Sequence, residues 1–392
     1  MAFKFANRMD NIKASEIREI LKLTAQPEII SFAGGLPAVE SFPMEAIEAA
    51  SEKVLKKHTT AALQYSSTDG FLPLREHIVK RMEKVGVKCT AADILVTSGS
   101  QQGLEFTAKL FINPGDKIVC ESPTYLGALN AFKGYQPEII ECPTDKDGMI
   151  IEELDKILAQ GGVKFIYAIA DFQNPTGNTW SMERRKGLVE MANKHDVVIL
   201  EDNPYGELRY EGTLMPSIKS LDTQDRVIFL GTFSKILCPG FRLGWIMAGP
   251  EILEKFNFIK QGSDLQSCTT TQMQAAQFLD DNDLDEHIQK IIDLYRKRRD
   301  VMIDALEKYL PKEVSYTHPE GGLFLWLTFP KGVDSKELAK VAIEKKVAFV
   351  PGGAFFPAPG NDNFARLNYS SSDEEKIVEG VKRLSEAIKA FL

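Results

Sequence analysis

Cysteine is scarce in the 392-residue sequence, long apolar runs are missing, and basic charge is not in surplus. The five cysteines, Cys89, Cys120, Cys142, Cys238 and Cys268, are odd in number, widely spaced and free of any Cys-x-x-Cys pair. That pattern excludes a disulfide scaffold and predicts free thiols in a reducing compartment. The opening Met-Ala-Phe-Lys-Phe-Ala-Asn-Arg-Met-Asp has no apolar core of a secretion signal. No later run approaches the roughly 18 apolar residues of a membrane span, so the expectation is a cytoplasmic protein with no membrane partner. Lys plus Arg number 47 against 55 Asp plus Glu, a net charge of -8, which gives no bulk attraction for nucleic acid. Neither a Walker loop nor a Gly-x-Gly-x-x-Gly fingerprint is present, so a nucleotide is not favoured.

The composition is that of an ordinary globular protein, with 44% apolar and 26% charged residues. The length exceeds the usual limit of about 250–300 residues for a single core, which predicts one large and one small domain. Residues 1 to 10 read as an arm, and Ser15 to Leu23 as a short amphipathic helix with Ile17, Ile20 and Leu21 on one face. Ile29 to Pro37 reads as an apolar strand ending in two glycines.

Helices and strands then alternate to about Ile252. The apolar runs Ile94–Thr97, Lys117–Cys120, Phe165–Ala170, Val197–Leu200, Val227–Leu230 and Gly244–Ala248 read as buried strands. Helical patterns lie between them, as at Gln101–Phe111 and Met182–Lys194. The fold class predicted is α/β, a mostly parallel sheet covered by helices on both faces, plus a smaller α+β domain. The divisions expected are 1–40 for an arm and helix joining the small domain, 41–285 for the large domain and 286–392 for the small one. A helical stretch from about Glu251 to Leu310, broken near Gly262 to Thr271, ties the two together. Strands are expected in Gly321–Leu327, Val347–Val350 and Phe364–Ser370, and a last helix from Ser372 to Phe391.

Candidate chemistry centres on Gly231 to Trp245, where Lys235 stands between the hydroxyls of Thr232 and Ser234 and the guanidinium of Arg242. A lysine amine can condense with an aldehyde, and hydroxyls with a guanidinium can hold a phosphate beside it. Thr97-Ser-Gly-Ser-Gln-Gln-Gly follows a strand and opens a helix, where backbone N–H groups can also take up phosphate. Tyr125 after the next strand is either a core ring or a stacking partner for a flat cofactor. Asn174 follows Phe165–Ala170 at the sheet edge and can donate to an anionic ring oxygen. Asp202 follows another strand; it is either a cap for the next helix or the partner of a pyridine nitrogen.

Asn-Pro-Thr-Gly, Asp-Asn-Pro-Tyr, Ser-Lys-x5-Gly-x-Arg and a late Arg-Leu-Asn-Tyr-Ser occur in an order that resembles the class I/II, fold-type I aminotransferases over essentially the whole chain. Ser-Phe-Ala-Gly-Gly-Leu-Pro, Leu-Gln-Tyr-Ser and Pro-Gly-Gly-Ala-Phe-Phe are most similar to the 2-aminoadipate and kynurenine subgroup. The resemblance implies pyridoxal 5'-phosphate on Lys235, with its phosphate held by Ser100, Gln101, Thr232, Ser234 and Arg242. It implies that Tyr125 stacks on the ring, that Asn174 and Tyr205 bond the ring oxygen, and that Asp202 keeps the pyridine nitrogen protonated. Arg366 would take the substrate α-carboxylate, with Gly35 and Asn174 nearby. Tyr65 would reach the phosphate of a neighbouring subunit, so a homodimer is implied. The activity implied moves an amino group between an L-amino acid (2-aminoadipate, aromatic or branched-chain) and a 2-oxo acid, with 2-oxoglutarate the expected acceptor. A lyase or decarboxylase on the same scaffold is the rival enzyme reading. A regulator's ligand-sensing module is a second rival, and it would need a DNA-binding domain ahead of the arm.

Arg18 lies beside Ile17 but off the apolar stripe of its helix, so composition alone makes it a solvated arginine. The resemblance makes it instead a partner for the distal carboxylate of an acidic substrate, on a helix that can withdraw it from apolar ones. Arg18→Ala is then expected to lower kcat/KM for 2-aminoadipate and glutamate by about 2–5 kcal/mol and to leave leucine and phenylalanine half-reactions nearly unchanged. Equal loss across acidic and apolar donors, read from half-reaction rates, contradicts that role.

Overall fold

The computed structural model describes residues 3–12, 26 and 28–392. The helix expected over Ser15 to Leu23, and Arg18 with it, lies outside the described residues. The strands in chain order are β1 (Ile30–Ser31), β2 (Ile94–Thr97), β3 (Lys117–Ser122), β4 (Glu138–Asp145), β5 (Gly148–Met149), β6 (Val163–Ala168) and β7 (Val198–Asp202). They continue as β8 (Val227–Thr232), β9 (Gly244–Met247), β10 (Ser315–Tyr316), β11 (Phe324–Thr328), β12 (Val347–Ala348), β13 (Val350–Pro351) and β14 (Phe364–Asn368).

Among the described residues the large sheet has the order β2-β9-β8-β7-β6-β3-β4-β5. The pairs β8-β7, β7-β6, β6-β3 and β3-β4 are parallel, while β9 runs against both β8 and β2. Since two reversals cancel, β2 points the same way as β8. The chain therefore leaves β2, β3, β6, β7 and β8 along one edge of the sheet, where ligands of such sheets bind.

Burial explains why these strands lack polar alternation. Leu95, Leu200, Ile228, Leu230 and Ile246 face a cluster with the helices Ser100–Phe111, Leu126–Lys133 and Pro250–Ser263. Ile166, Ile199 and Val227 face the opposite cluster with Ile151–Leu158 and Met182–His195. With both faces covered, each apolar side chain contributes roughly 1.5–3 kcal/mol wherever it points.

A second sheet, β10-β11-β14-β13, is antiparallel and packs with the long helix Leu284–Tyr309 and the final helix Glu374–Phe391. Strand β1 pairs with β12, so the chain near Ile30 joins the C-terminal part of the molecule. No helix of the described residues is long and apolar enough to cross a membrane.

Several boundaries differ from the sequence reading. The run Phe165–Ala170 begins two residues earlier, at Val163, and ends at Ala168, because the Ile169 N–H turns away to the buried Glu121 carboxylate at 2.8 Å. Strand β4 is absent from the sequence reading: its residues Glu138, Glu141, Pro143 and Asp145 are polar or turn-like, and the burial along it is partial. The helical stretch before Leu310 has a second break, where the Asp283 carboxylate accepts the Asp285 N–H at 2.8 Å and starts a new helix. Of Ile29 to Pro37 only Ile30–Ser31 is strand, since little of it has a neighbour to pair with.

One buried ion pair links helix Met182–His195 to the edge where β6 ends. Arg185 is fully buried, and its Nη2 and Nη1 reach the two Asp171 carboxylate oxygens at 2.7 and 3.2 Å. It also donates to the carbonyls of Ala170 and Pro216. Arg185→Met leaves the Asp171 charge buried without its main partner and is expected to cost about 3–5 kcal/mol. The check is the denaturant midpoint at unchanged slope; a loss below about 1 kcal/mol contradicts the assignment of Asp171 as dependent on Arg185.

Candidate active site

The loops leaving the common sheet edge enclose a cavity of about 410 Å³ lined by Gly35, Ser100, Gln101, Tyr125, Asn174, Asp202, Tyr205, Thr232, Ser234, Lys235, Arg242 and Arg366. Residues from seven separated segments thus converge because five parallel strands end there. Of the residues expected from the sequence, only Tyr65 and Arg18 are not placed in it. Tyr65 is 78% exposed and off the cavity, and Arg18 is outside the described residues. Ile169, Pro204, Pro239 and Phe324 also line the wall.

Lys235 follows β8, and its Nζ donates to the Gly35 carbonyl at 2.7 Å. Burial, with the positive charges of Arg366 and Arg242 nearby, brings its pKa down to about 8. The neutral amine, the form that can attack a carbonyl or accept a proton, is therefore accessible near physiological pH.

Asp202 closes β7 and is 3% exposed. The Tyr167 hydroxyl donates to its Oδ2 at 2.9 Å, while Oδ1 is buried with no hydrogen-bond partner. Burial pushes the carboxyl up to about 7 against that one favourable bond. A buried acceptor left open at a cavity wall is a place for a cationic N–H.

Arg366 lies in β14, 3% exposed, and its guanidinium rests 4.2 Å over the Phe324 ring. Its Nη1 donates to Asn174 Oδ1 at 2.9 Å and its Nη2 to the Ala33 carbonyl at 2.8 Å. Burial lowers its pKa to about 10, still well above neutrality. Of its five N–H donors, these two bonds leave others to receive an oxyanion. Asn174 Nδ2 in turn points at the Tyr205 hydroxyl at 3.5 Å, and Tyr205 packs edge-on against Phe324.

At the other end, Ser100 and Gln101 start helix Ser100–Phe111, whose first N–H groups have no partner within the helix. The Thr232 hydroxyl donates to Ser234 Oγ at 2.9 Å. Arg242 takes a left-handed conformation, φ 51°, that turns it back across the loop. Gly99 has φ 81°, and a Cβ there would sit 2.4 Å from the Arg242 guanidinium. The positive φ favours glycine at this position, and the missing side chain leaves the Arg242 guanidinium room against the loop.

Tyr167, Phe324 and Gly99 are the contributors that sequence reasoning missed. Tyr167 reads as one apolar residue of a buried strand, and Phe324 as core; their roles depend on what lies opposite. Gly99 sits inside a quoted motif, and a glycine directly before a helix was its available signal.

Residues 27–384 match the family model of aminotransferase class I and II. The chain is 49% identical over 391 residues to the aromatic-amino-acid aminotransferase 1 of Thermococcus litoralis, covering 98% of this chain and 94% of that protein. It is 40% identical to the 2-aminoadipate transaminase of Thermus thermophilus, over 99% of this chain and 97% of that one. Among solved structures, the kynurenine aminotransferase of Pyrococcus horikoshii, in complex with PMP, superposes with a TM-score of 0.95 at 46% identity, covering 99% and 97% of the two chains.

The chain belongs to the class I and II aminotransferases, and it is a pyridoxal-phosphate-dependent enzyme. Its residues fit that cofactor. The open Asp202 oxygen suits a protonated ring nitrogen, the Gly99 cradle suits a phosphate, and the cavity has the size of a small-molecule site.

Proposed function

We propose that this aminotransferase takes 2-aminoadipate, aromatic or branched-chain L-amino acids as donors and 2-oxoglutarate as acceptor, in a ping-pong cycle. The names of its relatives, an aromatic-amino-acid aminotransferase and a 2-aminoadipate transaminase, support the aromatic and 2-aminoadipate parts of that range. The observation that carries the mechanism is the convergence of the Lys235 amine, the open Asp202 oxygen and the Arg366 guanidinium on one cavity.

In this reading Ser100, Gln101, Thr232, Ser234 and Arg242 hold the phosphate, Tyr125 covers the ring, and Asn174 and Tyr205 bond its oxygen. When bound, pyridoxal 5'-phosphate supplies an aldehyde carbon for amines and a ring that withdraws electrons from the substrate Cα. Asp202, ionised against a cation, keeps the ring nitrogen protonated. Arg366 pairs with the α-carboxylate common to all amino acids and so fixes the direction of the Cα–H bond. Lys235 would hold the cofactor and, when freed by the substrate amine, would be the group that moves the Cα proton, an amine acting first as base and then as acid.

The proposal includes a homodimer in which Tyr65 completes the neighbouring phosphate site. What supports it is the exposure of Tyr65 together with exposed Leu36, Val39, Met44, Leu63 and Leu72. Such apolar groups favour burial against a partner.

Mixed with an amino acid alone, the enzyme is expected to convert once to the pyridoxamine phosphate form and stop, and to be restored by 2-oxoglutarate. Absorbance of the cofactor follows both steps. Continuous release of ammonia or carbon dioxide without an acceptor contradicts transamination, and failure of 2-oxoglutarate where other 2-oxo acids succeed contradicts the acceptor. Lys235→Ala should abolish conversion while the far-ultraviolet circular dichroism is unchanged; full conversion in that variant removes the lysine from the mechanism.

A further inference from the structure

Behind the loop that joins β2 to helix Ser100–Phe111 lies a buried lysine that the chemistry above does not use. Lys260, on helix Pro250–Ser263, is 0% exposed. Its Nζ donates to Gln102 Oε1 at 2.8 Å, to Asp264 Oδ2 at 2.8 Å and to Ser267 Oγ at 2.9 Å. These bonds use all three ammonium donors. Gln102 Oε1 also accepts the Ser98 N–H at 2.9 Å, and Asp264 Oδ2 also accepts Gln102 Nε2 at 2.9 Å and the Ser98 hydroxyl at 3.2 Å. Both acceptors are therefore shared between the lysine and the loop.

The support on which this pin stands is itself held. Gln272 Nε2 donates to the Ser267 carbonyl at 2.9 Å while its Oε1 accepts the Phe71 N–H at 2.8 Å. Filling the space would need only an apolar side chain, and burying an ammonium there carries a desolvation cost. What the charge adds is direction, since it orients two acceptors that grip Ser98 from both its backbone and its side chain. The next residue is Gly99, whose backbone (φ 81°, ψ 160°) is one that L side chains rarely adopt.

We infer that Lys260 is a positioning residue for the cofactor phosphate: through Gln102 and Asp264 it fixes the Ser98–Gly99–Ser100 backbone so that the N–H groups opening the helix face the same anion as Arg242. This rests on the phosphate assignment proposed above. Lys260 does not line the cavity, so its effect passes through the loop that Gln102 and Asp264 hold.

The test compares binding of pyridoxamine 5'-phosphate, which needs no covalent link to Lys235, with binding of pyridoxamine, which lacks the phosphate. Equilibrium dialysis is done on wild type, Lys260→Met and Arg242→Ala, with thermal melting to establish that each is folded. Lys260→Met is expected to weaken pyridoxamine 5'-phosphate about tenfold or more and to leave pyridoxamine within about twofold, as loss of charge-assisted bonds to the cradle requires. Equal weakening of both ligands, or of neither, overturns the inference, because a merely structural lysine has no reason to single out the phosphate. If Arg242→Ala weakens the phosphate ligand and Lys260→Met does not, the inference fails while the phosphate assignment stands. If Arg242→Ala has no effect, the assignment fails and takes the inference with it. Should Lys260→Met not fold, Asp264→Asn removes the shared charged acceptor at constant shape and is expected to show the same selective loss, its absence counting against the role.

Discussion

The site depends on holding Lys235, Asp202 and Arg366 at one cavity without letting them neutralise one another. Among the described residues none of the three is ion-paired; Lys235 bonds a backbone carbonyl, Asp202 a tyrosine hydroxyl, and Arg366 an amide and a carbonyl. Burial without a counter-charge is costly, and the cost appears as the displaced pKa values, about 8 for the lysine and about 7 for the aspartate. Elsewhere among the described residues buried charge is saturated rather than left open: Arg185 is paired with Asp171 and Lys219 with Asp222, and the unpaired carboxylates of Glu121 and Glu201 each accept an N–H at both oxygens, where Asp202 leaves Oδ1 open. The contrast separates groups that hold the fold from groups left open for a ligand.

The sheet makes this possible. Five strands that run the same way deliver Ser100, Tyr125, Asn174, Asp202 and Lys235 to one edge, and covering helices bury the strands so that the edge does not move. Arg366 comes from the other sheet, where β14 sits between β11 and β13. The cavity therefore lies between two sheets, and the geometry of substrate relative to cofactor depends on how the segment around Gly35 and Ala33 connects them. Both residues offer carbonyls to site cations, Gly35 to Lys235 and Ala33 to Arg366.

Much of this was legible in the sequence because the chemistry sits in short runs directly after apolar strands. Lys235, Asp202 and Asn174 each follow or end an apolar run, Arg366 stands within the strand Phe364–Asn368, and their order matched a known family. What stayed hidden depends on distant partners. Nothing near Tyr167 says that Asp202 will lie opposite its hydroxyl, and nothing near Lys260 says that its ammonium will meet Gln102. Strand β4 was hidden by its own polar residues, whereas the break at Asp283 had a local signal, the polar run Asp280-Asp281-Asn282-Asp283 that ends one helix and caps the next. Strand order could not be read at all, since it is fixed by crossovers rather than by local pattern.

The central claim is that the open Asp202 oxygen serves the ring nitrogen of the cofactor and so sets the electron-withdrawing power of the site. Asp202→Asn keeps the shape and removes the charge, which separates this electronic role from packing. Single-turnover kinetics with a saturating amino donor measure the step directly. The account predicts that the variant keeps its cofactor and loses several orders of magnitude in rate. A rate within about tenfold of wild type, or about 1.4 kcal/mol in barrier, would contradict it.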